Sequence, residues 1–458
     1  MENMQQKLDQ YMRVWSNSNR FSGTVIITHG EQVLLRKGYG YANYEYQIPN
    51  GMSTIYNIAS ITKQFTAAAI LQLVEGGKLS LNQRAGEILK EYKAVSDVTI
   101  HQLMSSTSGV PDYTELPEYS TRNRLSADEI IGWLNSRPLN FEPGQDVQKS
   151  NSNFVLLAKI IEVVSGMDIE TYLQQYVFEP AHLQFTGVSH NYTVIPNRAY
   201  GYSFSGEGVV QAEYYEMSGA YGSGFLYSNA DDLLRWTNAL ANGEIITRES
   251  YQKMITPYGY LWYIGASAGY GCFVNGDPVD EIKVDGNLYG YTCCIQKYLD
   301  GDFTVIILSN NDATPIGRIV KGIKNILFSQ EPQVIVKPDF HEIEELTKYI
   351  ALVGEYRFPP TGWRFKISFE NGTLHVDRLF IQESKRKKYA LKLVADQLDY
   401  IVFACEVCDS TFSFHLDPEG NVHRVIYIWD TLEIPYERQP DSVSYSEWES
   451  TQCQRIGD

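Results

Sequence analysis

The sequence predicts an α/β chain in two parts. A larger segment draws the strands of one sheet from both of its ends, and a smaller all-β domain follows it. A strand pair opens the segment near Phe21, helical patterns fill its middle, and strands with one last helix return before residue 330. Past a stretch holding two prolines the helical period vanishes and short alternating runs take over. A chain of 458 residues is also too long for one ordinary core.

FSGTVIITHGEQVLLRKGYGYAN, from Phe21 to Asn43, reads as two strands around a turn at His29-Gly30-Glu31. ITKQFTAAAILQLVEGGKL carries apolar residues at helical spacing, with Gly76-Gly77 to end it. SADEIIGWLNSRP opens on a capping Ser126 and closes before Pro138. SNFVLLAKIIEVVSG and SNADDLLRWTNALANG have the same form. EIKVDGNLYGYTCCIQKY and DFTVIILSN predict neighbouring strands, and IGRIVKGIKNILF a helix. SQEPQVIVKPD, Ser329 to Asp339, reads as a linker. FKISFENGTLHV, with a hairpin turn at Asn371-Gly372, then YIVFACEV, STFSFHL and RVIYIWDTL, predict a β-barrel or sandwich. The expected boundaries are 1–330 for the first domain, 331–341 for the linker, 342–440 for the β-domain and 441–458 for a tail.

Hydrophobic residues at 43 % and charged residues at 20 % suffice for a proper core. The 55 acidic and 38 basic side chains leave a net charge of −17, which repels phosphate backbones and anionic membranes. Neither nucleic acid nor a membrane is expected as a partner. MENMQQKLDQYMRVW lacks the layout of a signal peptide, and no apolar run reaches the ~18 residues of a membrane span, so a cytoplasmic location is expected. Cys272, Cys293, Cys294, Cys405, Cys408 and Cys453 then read as free thiols. Cys405-x-x-Cys408, with His415 and His423 downstream, has zinc-binding residue types, but the period-2 pattern there favours ordinary strand residues. No metal or other cofactor is expected.

A serine hydroxyl attacks well only when a nearby base takes its proton. Ser60-Ile61-Thr62-Lys63 opens an apolar helix, where one turn brings the lysine amine beside the hydroxyl. Backbone N–H groups at such a helix start also stabilise developing negative charge. By itself the motif equally fits a capping serine with a solvated lysine.

Its surroundings are more specific. In order along the chain, the hairpin segment, IYNIASITKQFTAAAILQLVEGGKLSL, VTIHQLMSSTSGVPDY, FEPGQDVQKSNSNFVLLAKIIEVVSG, GSGFLYSNADDLLRW and DGNLYGYTCCIQKYLDGDFTVIILSNND resemble the serine β-lactamase-like family. That family includes class C β-lactamases, penicillin-binding DD-peptidases, esterases and D-amino-acid amidases. The resemblance implies a β-lactamase/transpeptidase-like domain, an antiparallel sheet flanked by helices. The C-terminal part resembles the lipocalin-like β-domains appended to some of these hydrolases. There Trp363, Phe365, Phe412 and Tyr427 either line a ligand cavity or form plain core.

The same resemblance implies Ser60 as the acylated nucleophile and Lys63 as its base. Asn151 would hold Lys63 and the substrate by hydrogen bonds. The backbone N–H groups of Ser60 and of Asn287, after Gly286, would bind the oxyanion. Three positions depart from the family pattern. Lys149 replaces the tyrosine of Tyr-x-Asn, Val284-Asp285-Gly286 replaces a motif that begins with Lys or His, and Ser106 stands where relatives often have His. Lys149 reads either as drift in an inactive site or as a second amine doing the tyrosine's work. Asp285, if it faces the pocket, repels a substrate carboxylate, which disfavours penicillin-like and D-Ala-D-Ala-like substrates. The expected function is therefore serine hydrolysis of a small ester or amide. An acyltransferase and a catalytically silent binding or scaffold protein are the alternatives, with no expectation about oligomeric state.

Overall fold

The computed structural model describes residues 2–205, 208–276 and 280–329, together with 341, 343 and most of 346–438. Within that last stretch 359–363, 371–372, 380–386, 398, 406–409 and 430–431 are not described. The chain divides into two compact units, one drawn almost entirely from residues 1–332 and the other mainly from residue 333 onward. The expected linker (His341 apart), the tail, the Asn371-Gly372 turn, Trp363, Cys408 and Cys453 lie outside the described residues.

In the first unit, helix α1 (Glu2–Asn17) leads into a hairpin of β1 (Gly23–His29) and β2 (Gln32–Tyr39). Gly30 turns it with φ of 54°, a conformation natural to glycine. Helices α2 (Thr62–Glu75), α3 (Ala127–Asn135), α4 (Asn151–Ser165) and α5 (Ala230–Asn242) occupy the middle. Strands β3 (Tyr260–Leu261), β4 (Ala266–Ala268), β5 (Phe273–Asn275), β6 (Glu281–Leu288), β7 (Tyr291–Tyr298) and β8 (Phe303–Ser309) follow, then helix α6 (Ile316–Leu327). The strands form one antiparallel sheet in the order β3-β4-β5-β6-β7-β8-β1-β2. Its closure is the pairing of β1 with β8, from Gly23 opposite Ser309 to His29 opposite Phe303. The first and last strands of the unit thus lie side by side, as the sequence pattern predicts.

Strand β8 is buried at every residue, and Val25, Ile26 and Ile27 of β1 are fully enclosed. Apolar runs without alternation fit strands covered by helices on both faces. The buried helix α2 carries apolar or small residues nearly all round, so it passes through the core rather than over it. Phe65 stacks on Trp236 of α5 with centroids 3.9 Å apart, and the Trp236 indole N–H donates to Gln64 Oε1 at 2.8 Å. At the start of α3, Ser126 accepts from the Glu129 N–H while the Glu129 carboxylate accepts from the Ser126 N–H, a complete capping box.

The second unit is one antiparallel sheet. It contains β9 (Gly354–Arg357), β10 (Arg364–Glu370), β11 (Thr373–Leu379), β12 (Lys387–Ala390), β13 (Lys392–Asp396), β14 (Tyr400–Cys405), β15 (Ser410–Leu416), β16 (Val422–Trp429) and β17 (Leu432–Arg438). Their order is β12-β11-β10-β9-β17-β16-β15-β14-β13. Only Leu391 separates the two strands at the ends of this order, so the sheet curls into a nearly closed barrel. Phe365 packs against both Tyr356 and Phe412, each pair with centroids 5.1 Å apart, and Tyr427 lies 5.1 Å from Phe412. These buried aromatics fill the barrel with one another, as core. Cys405 is buried, and the described residues contain no group of three or more His, Cys, Asp or Glu able to hold a metal. No described helix is long and apolar enough to cross a membrane.

Candidate active site

Ser60 lies in a 3-10 turn, Ala59–Ile61, that runs directly into α2. Ala59, just before it, holds φ of 46°, a left-handed conformation that costs an alanine free energy and projects the next side chain from a sharp bend. One turn on, the buried Lys63 amine donates to Ser60 Oγ at 2.7 Å and to the Ser223 carbonyl at 2.9 Å. Its ring neighbour is Phe154 of α4, 5.6 Å from Nζ to the centroid. Burial, reinforced by the nearby Lys149 charge, pulls the Lys63 pKa down to about 7 against the opposing pull of Asp112 and Asp285. An amine with that pKa is half neutral near pH 7. It has a lone pair for the serine proton and a remaining N–H for the Ser223 carbonyl.

A cleft enclosing about 430 Å³, open to solvent, surrounds this pair. Ser60, Lys63, Lys149, Val284 and Asp285 line it, with Ser106, Phe154 and Phe273 among its other walls. Lys149 belongs to the loop entering α4, where its backbone N–H donates to Tyr263 Oη at 3.0 Å and its amine lies 5.8 Å from the Phe273 centroid. Asp285 faces the cleft, and its carboxylate stands 3.4 Å from Lys283 Nζ. Burial acts to raise the Asp285 pKa, but Lys283, Lys149 and Lys63 overcome it and hold the carboxyl below its ordinary value. Ser106 sits in the left-handed region at φ 63°, and its carbonyl accepts from the Gln148 N–H at 2.9 Å, tying its turn to the Lys149 loop.

Asn151 differs from its expected role. Its amide nitrogen donates to Asp112 Oδ2 at 2.8 Å, and its backbone N–H reaches the same oxygen at 3.0 Å. The contacts of Lys63 run to Ser60 and Ser223 instead. As the first residue of α4, Asn151 has a free helix-end N–H that an anion satisfies, and Asp112 supplies one. Asp112 and Ser223 escaped the sequence reading as site residues. The signals for them were Pro-Asp-Tyr after the Thr-Ser-Gly turn and the Gly-Ser-Gly run at 222–224.

Gly286 and Asn287 lie on β6 where it passes the Ser60 turn. A Cβ on Gly286 would stand 2.3 Å from the Ile58 carbonyl and 3.0 Å from the Ser60 N. Only glycine lets the strand approach the nucleophile's backbone this closely. Gly286→Ala is therefore expected to separate strand and turn, cutting acylation of Ser60 by about a hundredfold, the scale of losing one oxyanion donor. Stopped-flow acylation with an activated ester measures this, and a wild-type rate would show that the close approach has no part in the chemistry.

A serine and a buried, neutralisable lysine one helical turn apart, beside the inner strand of an antiparallel sheet, define a serine hydrolase scaffold. The model of the family described as Beta-lactamase matches residues 4–321, and the chain belongs to that family. It is 31% identical over 323 residues to the putative penicillin-binding protein PbpX of Bacillus subtilis (strain 168), covering 70% of this chain and 78% of that one. Its fold is similar to the octameric penicillin-binding protein homologue from Pyrococcus abyssi, with TM-score 0.63, 23% identity and coverage of 94% and 99% of the two chains. It also resembles the D-amino acid amidase from Ochrobactrum anthropi SV3, with TM-score 0.62, 20% identity and coverage of 70% and 99%.

Proposed function

We propose that this chain hydrolyses a small, neutral ester or amide through an acyl-enzyme on Ser60. The observation that carries the reading is the 2.7 Å contact between Ser60 Oγ and a lysine amine whose pKa is lowered to about 7. Neutral Lys63 accepts the Oγ proton as Oγ attacks the substrate carbonyl carbon. The backbone N–H groups of Ser60 and Asn287 bind the resulting oxyanion. Lys149, as an ammonium, gives its proton to the leaving group as the carbon–leaving-group bond breaks. Lys63 then passes its proton back to Lys149, and the neutral Lys63 takes a proton from water as the water attacks the acyl-enzyme ester, returning it to Ser60 Oγ as the acid leaves.

The cleft's charges support a neutral substrate. Val284-Asp285 stands where a cationic residue would anchor a substrate carboxylate, and Lys283 is already paired with Asp285. Intact-mass measurement after a fluorophosphonate probe is expected to show one adduct on the wild type and none on Ser60→Ala. Benzylpenicillin, which carries a carboxylate, is expected to leave Ser60 unmodified in the same assay. An unlabelled wild type under conditions that label a control hydrolase would overturn the hydrolase reading. A stable penicilloyl adduct would overturn the substrate assignment.

A further inference from the structure

Hydroxyl residues stand in a row at Ser105-Ser106-Thr107-Ser108, and all but one are engaged inside the protein. Ser105 Oγ donates to the His101 carbonyl at 2.8 Å and lies 2.8 Å from Thr107 Oγ1. Ser108 Oγ donates to Asn153 Oδ1 at 2.7 Å. Ser106 is the member of the row that lines the cleft. Its left-handed backbone sets it apart from its neighbours, and its carbonyl ties it to the Lys149 loop through the Gln148 N–H. On that loop Ser150 lines the cleft as well. It is 2% exposed, and its Oγ has no hydrogen-bond partner among the described residues. A serine just before a helix ordinarily turns its hydroxyl back onto an N–H two or three residues on, but Ser150 makes no such bond. We propose that Ser106 and Ser150, with Lys149 and Asp285, bind a polyhydric alcohol as the leaving group, so that the substrate is a small-acid ester of a polyol.

This inference rests on the acyl-enzyme reading above and names its substrate class. A buried hydroxyl without a partner destabilises the fold, and a ligand that completes its hydrogen bond offsets that. Both serines flank Lys149, which that reading makes the proton donor to the leaving group, so their hydroxyls belong to the leaving-group side. Lys149 brings donors to the cleft, Asp285 brings acceptors, and each serine brings both. A ligand with several neutral hydroxyls matches that set, because every hydroxyl also donates and accepts. An alkyl alcohol leaves these polar groups unpaired, and an acidic one meets Asp285 with like charge.

The wall from β4 to β5 has a different character. Ala268 and Phe273 are apolar, and the Cys272 thiol is already turned to the Met254 carbonyl. Such a surface suits a short apolar acyl group. In the reaction Ser60 Oγ attacks the ester carbonyl carbon and its proton passes to Lys63. The bond from that carbon to the polyol oxygen breaks, and the oxygen takes a proton from Lys149. The neutral polyol departs and the acyl group stays on Ser60.

The test measures kcat/KM of the full chain, by acid release at constant pH, for butanoate esters of glycerol, of a methyl glucoside and of butanol. The first two separate a glycerol-like from a sugar-like source of the polyol. At least one of them is expected to exceed the butyl ester by about tenfold or more. Ser106→Ala and Ser150→Ala are each expected to cut that ratio about fivefold. Ser150→Thr keeps a hydroxyl on an extended backbone that suits threonine (φ −139°, ψ 126°), and is expected to keep the ratio. A structural role for either serine lowers all three esters alike, and an unmoved ratio in either alanine variant overturns the inference. So does a ratio that falls as far in Ser150→Thr as in Ser150→Ala, or a wild type that cleaves the butyl ester as well as both polyol esters. A wild type that a fluorophosphonate leaves unlabelled and that cleaves none of the esters overturns the hydrolase reading, and this inference with it.

Discussion

Lys63→Met is expected to lose about 10³-fold in the acylation rate, the scale of a removed general base, while making the folded protein more stable. The two effects have one cause. Burial lowers the Lys63 pKa from its ordinary 10.5 to about 7, so the unfolded chain binds the lysine proton more tightly than the folded one between those values. Stability contributed by this site therefore rises with pH across that window. Below about 7 the amine is charged in both states and the cost of burying it is fully present. Methionine fills the same space without a charge. Its gain is expected to be about 2–4 kcal/mol near pH 6, after the lost contacts to Ser60 and Ser223 are subtracted, and to shrink toward pH 10. Thermal melts of wild type and variant at both pH values check the sign. A melting temperature that falls on substitution at pH 6 would show that Lys63 is a stabilising structural residue.

Lys149→Ala is expected to slow acylation of Ser60 by about 10²–10³-fold between pH 6 and 10, because the leaving group then departs without a proton donor. The acid limb should also shift. The Lys149 charge helps to lower the Lys63 pKa, so without it Lys63 keeps its proton to higher pH and the limb moves in the alkaline direction. Lys149→Tyr places the hydroxyl usual in the family at this position, and part of the rate is expected to return. Acylation followed by mass across the pH range separates the two variants. If Lys149→Ala acylates at the wild-type rate throughout, Lys149 has no role in proton transfer.

The nucleophile's setting was legible because it depends on local chemistry. Ser60 and Lys63 belong to one helical turn, and the apolar run after them announces a buried helix whatever surrounds it. Helix α3 was readable to its cap, since Ser126 and Glu129 satisfy each other within four residues. The pairing of β1 with β8 followed from strands at both ends of a helical segment. Asn151 was less legible. Its type and place suggest an amide turned to the substrate, yet the side chain donates to Asp112, a residue 39 positions away.

The sequence by itself determined the family of fold, the serine and its lysine, and the presence of a second amine and a carboxylate at positions where relatives carry other groups. These properties reside in single segments, where periodicity, caps and motif order act over a few residues. Only the tertiary structure decided that Asp285 faces the cleft, that Lys63 leans on the Ser223 carbonyl, and that Lys149, Lys283 and Asp285 meet around Phe273. Charge and burial act through space and not along the chain. The proton on Lys63 therefore answers to residues from the Lys149 loop, strand β6 and the Asp112 turn, which only folding brings together.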